Sequence, residues 1–204
     1  VTQRLRRQPI LEAMIRVAGR KGYEATSVAD VISEAHASRA TFYKYFDDKH
    51  DCFLAAYEVA VERVLAAARA GCDPRQPWPE RVLAGLAAVV DLFADDPALA
   101  RTAVVEGAAA GSEAQRRRLS AIGNLADLLE ESGNAQSGPQ LPDTTALMAV
   151  SGVMGLIFDV LQAGQAATLR RLLPELEFAM LVPFVGPRTA VEEMGRQAAE
   201  LQSR

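Results

Sequence analysis

Two cysteines, two histidines and one tryptophan are all that 204 residues hold of those types. Cys52 and Cys72 lack metal-ligand spacing, so neither a disulfide framework nor a thiolate metal site is indicated. His36 and His50 are the only imidazoles, and the chain has no glycine-rich phosphate loop and no nucleophile elbow. The acid pairs Asp95-Asp96, Glu130-Glu131 and Glu192-Glu193 are sequence neighbours, which point in different directions on a helix, so paired-carboxylate catalysis is not indicated. No catalytic residue, metal ligand or cofactor is expected. No stretch shows sustained β alternation. The most apolar run, "ALMAVSGVMGLIFDVL" (146–161), is short for a membrane span and contains Asp159. The opening residues show no signal-peptide pattern, and the expected location is the cytoplasm.

What is present is alanine, leucine and helical periodicity. The expected fold is all-α. Ile10, Met14 and Val17/Ala18, widened by Leu11 and Ile15, form a stripe that Gly22 ends. In "TSVADVISEA", Ser27 is a predicted N-cap, Asp30 its box partner, and Val28, Val31, Ile32 and Ala35 the inward face. Ser38 caps a second short segment, "RATFYKYF", and Asp48 a long helix to about Ala70. Gly71 and "DPRQPWP" (73–79) make the clearest break, with Trp78 as a staple for that linker. Further helices are predicted over 80–95, 97–109, 112–132, 143–165 and 168–185, with a terminal segment at 188–202. "DDP" (95–97) and "SGNAQSGPQLP" (132–142) are the loops between them. Two domains are expected, 1–50 and 51–204, joined by the helix at about 48–70.

The net charge of −4 hides an asymmetry: residues 1–50 carry nine basic and six acidic side chains, the rest thirteen and twenty. A basic head on an acidic body suits a head that meets a polyanion. Within it, "ASRATFYKYF" (37–46) mixes cations and aromatics. Two capped short helices joined by a tight turn make a helix-turn-helix. Phe42 and Phe46, four apart, share an inward face, which leaves Arg39, Thr41, Tyr43, Lys44 and Tyr45 outward or on the flanks. Such a face can enter a major groove and meet guanine edges, thymine methyls and phosphates. On these residues alone, a plain amphipathic helix with a solvated face is the competing reading.

"TSVADVISEAHASRATFYKYFDDKHDCF" (26–53) closely resembles the DNA-binding signature of the tetracycline-repressor (TetR) family of bacterial transcriptional regulators. Thr26-Ser27, Ala35, Ser38, Thr41, Phe42, Tyr43, Tyr45, Phe46 and Lys49 occupy the family's pattern. The resemblance implies that Ser38, Arg39, Thr41, Tyr43, Lys44 and Tyr45 are groove and phosphate contacts. It also implies phosphate contacts from Thr26 and Ser27 at a helix N-terminus, and from Lys49. Arg4, Arg6 and Arg7 form a basic arm. Three positions depart from the pattern. His36 replaces the usual turn glycine, where φ > 0 is often needed; Ile32 replaces an alanine and Ala37 a valine.

Residues 71–204 resemble the C-terminal half of the same family more loosely, through "LFADDPALARTAVVE" (92–106) and "LRRLLPELEFAMLVPFVG" (169–186). The resemblance implies a larger helical ligand-binding and dimerisation domain whose last two long helices pair across a two-fold axis. Gly152 and Gly155 would permit close approach there. A pocket among the body helices would be lined by Phe93, Val104, Met148, Met154 and Phe158, with Glu106, Asn124 or Gln162 as polar anchors. The expected partners are therefore an operator duplex, a second copy of the chain and a small, hydrophobic effector of unknown identity. The expected function is a repressor released from a palindromic operator by that effector. The alternatives are a corepressed or activating regulator, or a helical module whose head binds an acidic protein.

Overall fold

The computed structural model describes residues 2–133 and 141–202, with side chains treated for 7–130 and 141–196. The side chains of Arg4 and Arg6, and most of the 132–142 loop, lie outside the described residues. Every regular element among the described residues is helical: α1 (Thr2–Lys21), α2 (Val28–Glu34), α3 (Arg39–Tyr43), α4 (Lys49–Gly71), α5 (Trp78–Asp95), α6 (Pro97–Arg101), a π-helical turn (Thr102–Glu106), α7 (Gly107–Ala109), α8 (Gly111–Gly133), α9 (Thr145–Gln162), a 3-10 turn (Ala166–Thr168) and α10 (Leu169–Gln202).

The chain divides into two compact units. One comprises residues 1–64 and 96–119, the other 65–95 and 120–204, so the borders fall inside α4, between α5 and α6, and inside α8. The first unit therefore extends past the 1–50 head read from the sequence and takes in α6, the π turn and α7. Its core gathers Ile10, Met14 and Ile15 of α1 with Phe42, Phe46, Phe53 and Tyr57, all buried. Gly19 lets α1 cross tightly over α6, since a Cβ there would stand 2.1 Å from the Ala98 carbonyl oxygen. Asp96 caps α6 by accepting the Leu99 N–H, and Pro97 opens it where a missing N–H does no harm.

In the second unit α10 packs on α5 and α9. Leu169, Leu173, Leu176, Met180 and Leu181 of α10 are buried, while Leu172, Val182 and Val185 are half-buried. Gly186, with φ 77° and ψ 164°, breaks α10 where the sequence predicts the end of one helix and the start of another. Trp78 is more than a linker staple: it is the buried first residue of α5, donates its indole N–H to the Leu129 carbonyl at 3.2 Å, and packs on Phe184. Arg170 ties α10 to α5 through Asp91 and Asp95, each at 2.7 Å. By length and composition α9 could cross a membrane; one face of it, Ala146, Val150, Val153, Ile157, Val160 and Leu161, is buried in the second unit.

Candidate nucleic-acid interface

The helix-turn-helix is built from its caps. Ser27 accepts the Asp30 N–H, and Asp30 returns a bond to the Ser27 N–H at 2.8 Å, a complete capping box. Ser38 accepts the Thr41 N–H at 3.1 Å and opens α3. Asp48 accepts the Asp51 N–H at 2.8 Å and opens α4. In the turn between α2 and α3, His36 has φ 49°, the left-handed value that glycine supplies most easily and that histidine tolerates. α2 is clamped to α1 by charge. Glu34 accepts Arg16 Nε at 2.7 Å and also meets Arg20, and Asp30 meets Lys21 at 2.7 Å. The Arg16 and Arg20 bonds hold the Glu34 carboxyl below its ordinary range; the Lys21 and Ser27 bonds do the same for Asp30.

The aromatics of α3 and the turn that follows it divide as the sequence predicts. Phe42 and Phe46 are buried with ring centroids 5.5 Å apart, whereas Tyr43 is 51% exposed and Tyr45 half-buried. Ser38, Arg39, Tyr43 and Lys44 are exposed and Thr41 half-buried, so these side chains stand on one short helix with the phenyl rings behind it. Ser27 is exposed at the start of α2. Thr26 is placed differently. It is 3% exposed and donates its hydroxyl to the Gly22 carbonyl at 2.7 Å, so in this arrangement its side chain locks the turn rather than facing outward. Lys49 is likewise engaged, with Nζ 3.1 and 3.2 Å from the Tyr23 and Glu24 carbonyls and 4.5 Å from the Tyr23 ring centroid. Arg7 of the basic arm lies over the Phe46 ring at 5.1 Å.

A separate cavity of about 70 Å³ lies within the second unit. Its walls come from Ala68 and Cys72, from Val82, Gly85, Leu86 and Val89 of α5, from Leu125, Leu128 and Leu129 of α8, from Val150, Val153, Met154 and Ile157 of α9, and from Met180. Of the eight pocket residues named from the sequence, Met154 alone lines it. Phe93 is buried in α5 outside the lining, and Phe158 is half-buried beside it in sequence. Asn124, Met148 and Gln162 are exposed. Val104 and Glu106 belong to the other unit, where both are buried. The wall residues fall at i, i+3 and i+4 on α8 and α9, but such spacing does not disclose which apolar residues border a void. Burial and an apolar setting push the Cys72 thiol pKa up, so it stands as a neutral wall group.

Capped short helices, a left-handed turn and an exposed basic-aromatic face on inward phenyl rings define a helix-turn-helix. The model of the bacterial regulatory proteins of the tetR family matches residues 10–56. The transcriptional repressor KstR of Mycolicibacterium smegmatis is 37% identical over 78 residues, which is 36% of this chain and 38% of that protein. The regulator YhgD of Bacillus subtilis is 26% identical over 162 residues, 76% of this chain and 83% of its own length. Two solved structures share the fold. One is the fatty acid degradation regulator FadR of Bacillus halodurans (TM-score 0.74, 17% identity, 88% of this chain and 98% of that one). The other is FadR of Bacillus subtilis in complex with stearoyl-CoA (TM-score 0.73, 17% identity, 88% and 98%). Over residues 10–56 the chain is thus similar to the helix-turn-helix regulators of the tetR family, and it shares the fold of these solved structures.

Proposed function

We propose that the chain acts as a homodimeric repressor that two recognition helices seat on a palindromic operator, and that a small apolar ligand in the body releases it. The observation that carries this reading is the apolar cavity, one wall of which, Ala68, stands on the helix that begins at Lys49 beside the recognition helix. A ligand need only bind the DNA-incompetent state more tightly to empty the operator. The all-apolar lining selects a hydrophobic molecule. The volume is well below the roughly 300–1,000 Å³ of drug-sized sites, so a compact group enters as the walls stand, and a chain as long as stearoyl requires α8 and α9 to part. The stearoyl-CoA complex of the Bacillus subtilis regulator makes acyl chains the first compounds to try.

Dimerisation is supported by an apolar stripe on α9: Leu147, Met148 and Leu156 are 43%, 70% and 43% exposed, alongside exposed Gly152 and Gly155. Beyond its own helix backbone, neither glycine has a described atom within 4 Å of where a Cβ would stand, which leaves room for a second helix. A single helix-turn-helix reads too few base pairs, and a two-fold pair reads two half-sites. Selection from a random duplex library followed by titration with stearoyl-CoA and shorter acyl-CoAs tests the whole scheme. A palindrome should be enriched and then released. Enrichment of no duplex would point to the protein-binding module, and tightening by the ligand would point to corepression.

A further inference from the structure

The family match ends at residue 56, yet the compact unit that holds the helix-turn-helix also takes in 96–119. Inside that added segment the backbone leaves α-helical pairing for one π turn, Thr102–Glu106. Such turns give up regular α hydrogen bonding and occur frequently at functional sites. Here the turn sets two buried polar side chains on the head at once. Thr102 Oγ1 donates to the Ile15 carbonyl of α1 at 3.0 Å. Glu106, 6% exposed, accepts the Tyr23 backbone N–H at 2.8 Å and pairs with Arg101 at 2.9 Å. The next residue, Gly107, lies so close to Tyr57 that a Cβ would stand 2.6 Å from a ring carbon.

Tyr23 is the hub of the turn between α1 and α2. Its carbonyl accepts Lys49 Nζ at 3.1 Å and the Thr26 N–H at 3.2 Å, and its hydroxyl meets His50 Nδ1 at 3.0 Å. One carboxylate from outside the helix-turn-helix thus fixes the turn on which the Ser27 cap and Lys49 depend. A buried ion pair is weak support for stability, because desolvation offsets much of its attraction. Its directional bond to one backbone amide is what an apolar residue could not supply. We propose that Glu106 is a positioning residue for DNA recognition: without touching DNA, it sets the 22–26 turn and so the presentation of Ser27, Lys49 and the recognition helix. The π turn also supplies a means of release. Re-winding it to α-helix rotates residue 106 by one residue's step, about 100°, and withdraws the carboxylate from Tyr23.

The inference rests on DNA binding by the head and on no ligand. The test uses the full chain and a duplex it enriches from a random library, with affinity measured over a range of salt. Glu106→Ala should bind about tenfold more weakly, the scale of one lost charge-assisted hydrogen bond. Its slope of log affinity against log salt should stay unchanged, because no phosphate contact is removed. Glu106→Gln, whose amide oxygen still accepts the Tyr23 N–H, should recover most of the affinity. Wild-type binding by the alanine variant, or a glutamine variant no better than alanine, would overturn the proposal. Should the alanine variant fail to fold, the Tyr23 amide decides: slow hydrogen exchange in the wild-type chain that Glu106→Gln retains supports the strut, and fast exchange in the wild type removes it. Failure of the wild-type chain to enrich any duplex sinks both this and the regulator reading, whereas a missing alanine effect on an enriched duplex sinks this one alone.

Discussion

The two compact units are held together by different chemistry. In the unit carrying the helix-turn-helix, polar bonds between residues distant in sequence fix each turn: Glu34 to Arg16 and Arg20, Lys49 to Tyr23 and Glu24, Thr102 to Ile15, and Glu106 to Tyr23. In the other unit apolar stripes predominate, with Trp78 to Leu129 and Arg170 to Asp91 and Asp95 among its long-range polar ties. Directional bonds specify one geometry, which suits a surface that must match a duplex. Apolar contacts are non-directional and tolerate rearrangement at constant volume, which suits a body that encloses a cavity.

The sharpest way to break this comparison is to empty the head's core. Phe42 is fully buried behind the recognition helix, and Phe42→Ala should destabilise its unit by about 3–5 kcal/mol. Hydrogen exchange should then quicken across residues 7–64 and 96–119 while α5, α9 and α10 keep their protection. Uniform loss across the chain would show that the units do not unfold separately. In the body, Val153 lines the cavity and is 3% exposed. A saturating acyl ligand at a hundredfold its Kd should add about 2.7 kcal/mol of apparent stability. Val153→Trp, filling that space, should abolish the ligand-induced rise in Tm, and a rise of unchanged size would place the ligand elsewhere.

Smaller effects sharpen the head's division of labour. Tyr43→Ala and Lys44→Ala remove exposed groups, so operator affinity should fall by about 1–3 kcal/mol for a base contact while dimerisation and Tm stay put. Lys44→Ala should also lower the salt slope by about one. A Lys49 substitution should behave otherwise. Its ammonium bonds two carbonyls, so its loss should lower Tm as well as affinity.

Much of the head could be read because its structure is written in short-range signals. Ser27 with Asp30, Ser38 and Asp48 announce helix starts within three residues, and Phe42 with Phe46 declare an inward face by their spacing. The left-handed turn at His36 was legible too, as a departure from glycine at a position that needs φ > 0. What could not be read depends on contacts across the fold. Nothing local to Thr26 shows that its hydroxyl turns back to Gly22, and nothing local to Glu106 shows that it reaches a residue 83 positions earlier. The π turn hid inside a stretch whose periodicity reads as ordinary helix. For the body, helix positions were legible to within a few residues, but a cavity is the place where packing falls short. Apolar spacing alone cannot separate Val153, on its wall, from Phe93, in solid core.

Acid distinguishes the units most gently. Glu34 and Asp30 titrate below their ordinary values of 4.5 and 3.8 because α1 supplies the cations that bond them, and Glu113 does so through Arg116 and Arg117. A carboxyl that binds its proton more weakly when folded adds stability above its ordinary value, and that stability is lost as pH falls through the folded one. All three belong to the helix-turn-helix unit. In the body the corresponding case is Asp73, whose partner Arg75 is two residues away and forms the pair with little help from the fold. As pH falls from 6 through and below the ordinary values of 4.5 and 3.8, amide protection in α2 should therefore decline before that in α5 and α10. The effect is small because the pairs are solvent-screened, and Glu34→Gln should flatten the α2 response over that range while lowering its protection at pH 6. An α2 that follows the body down in step would mean that its charge clamp to α1 contributes nothing in solution.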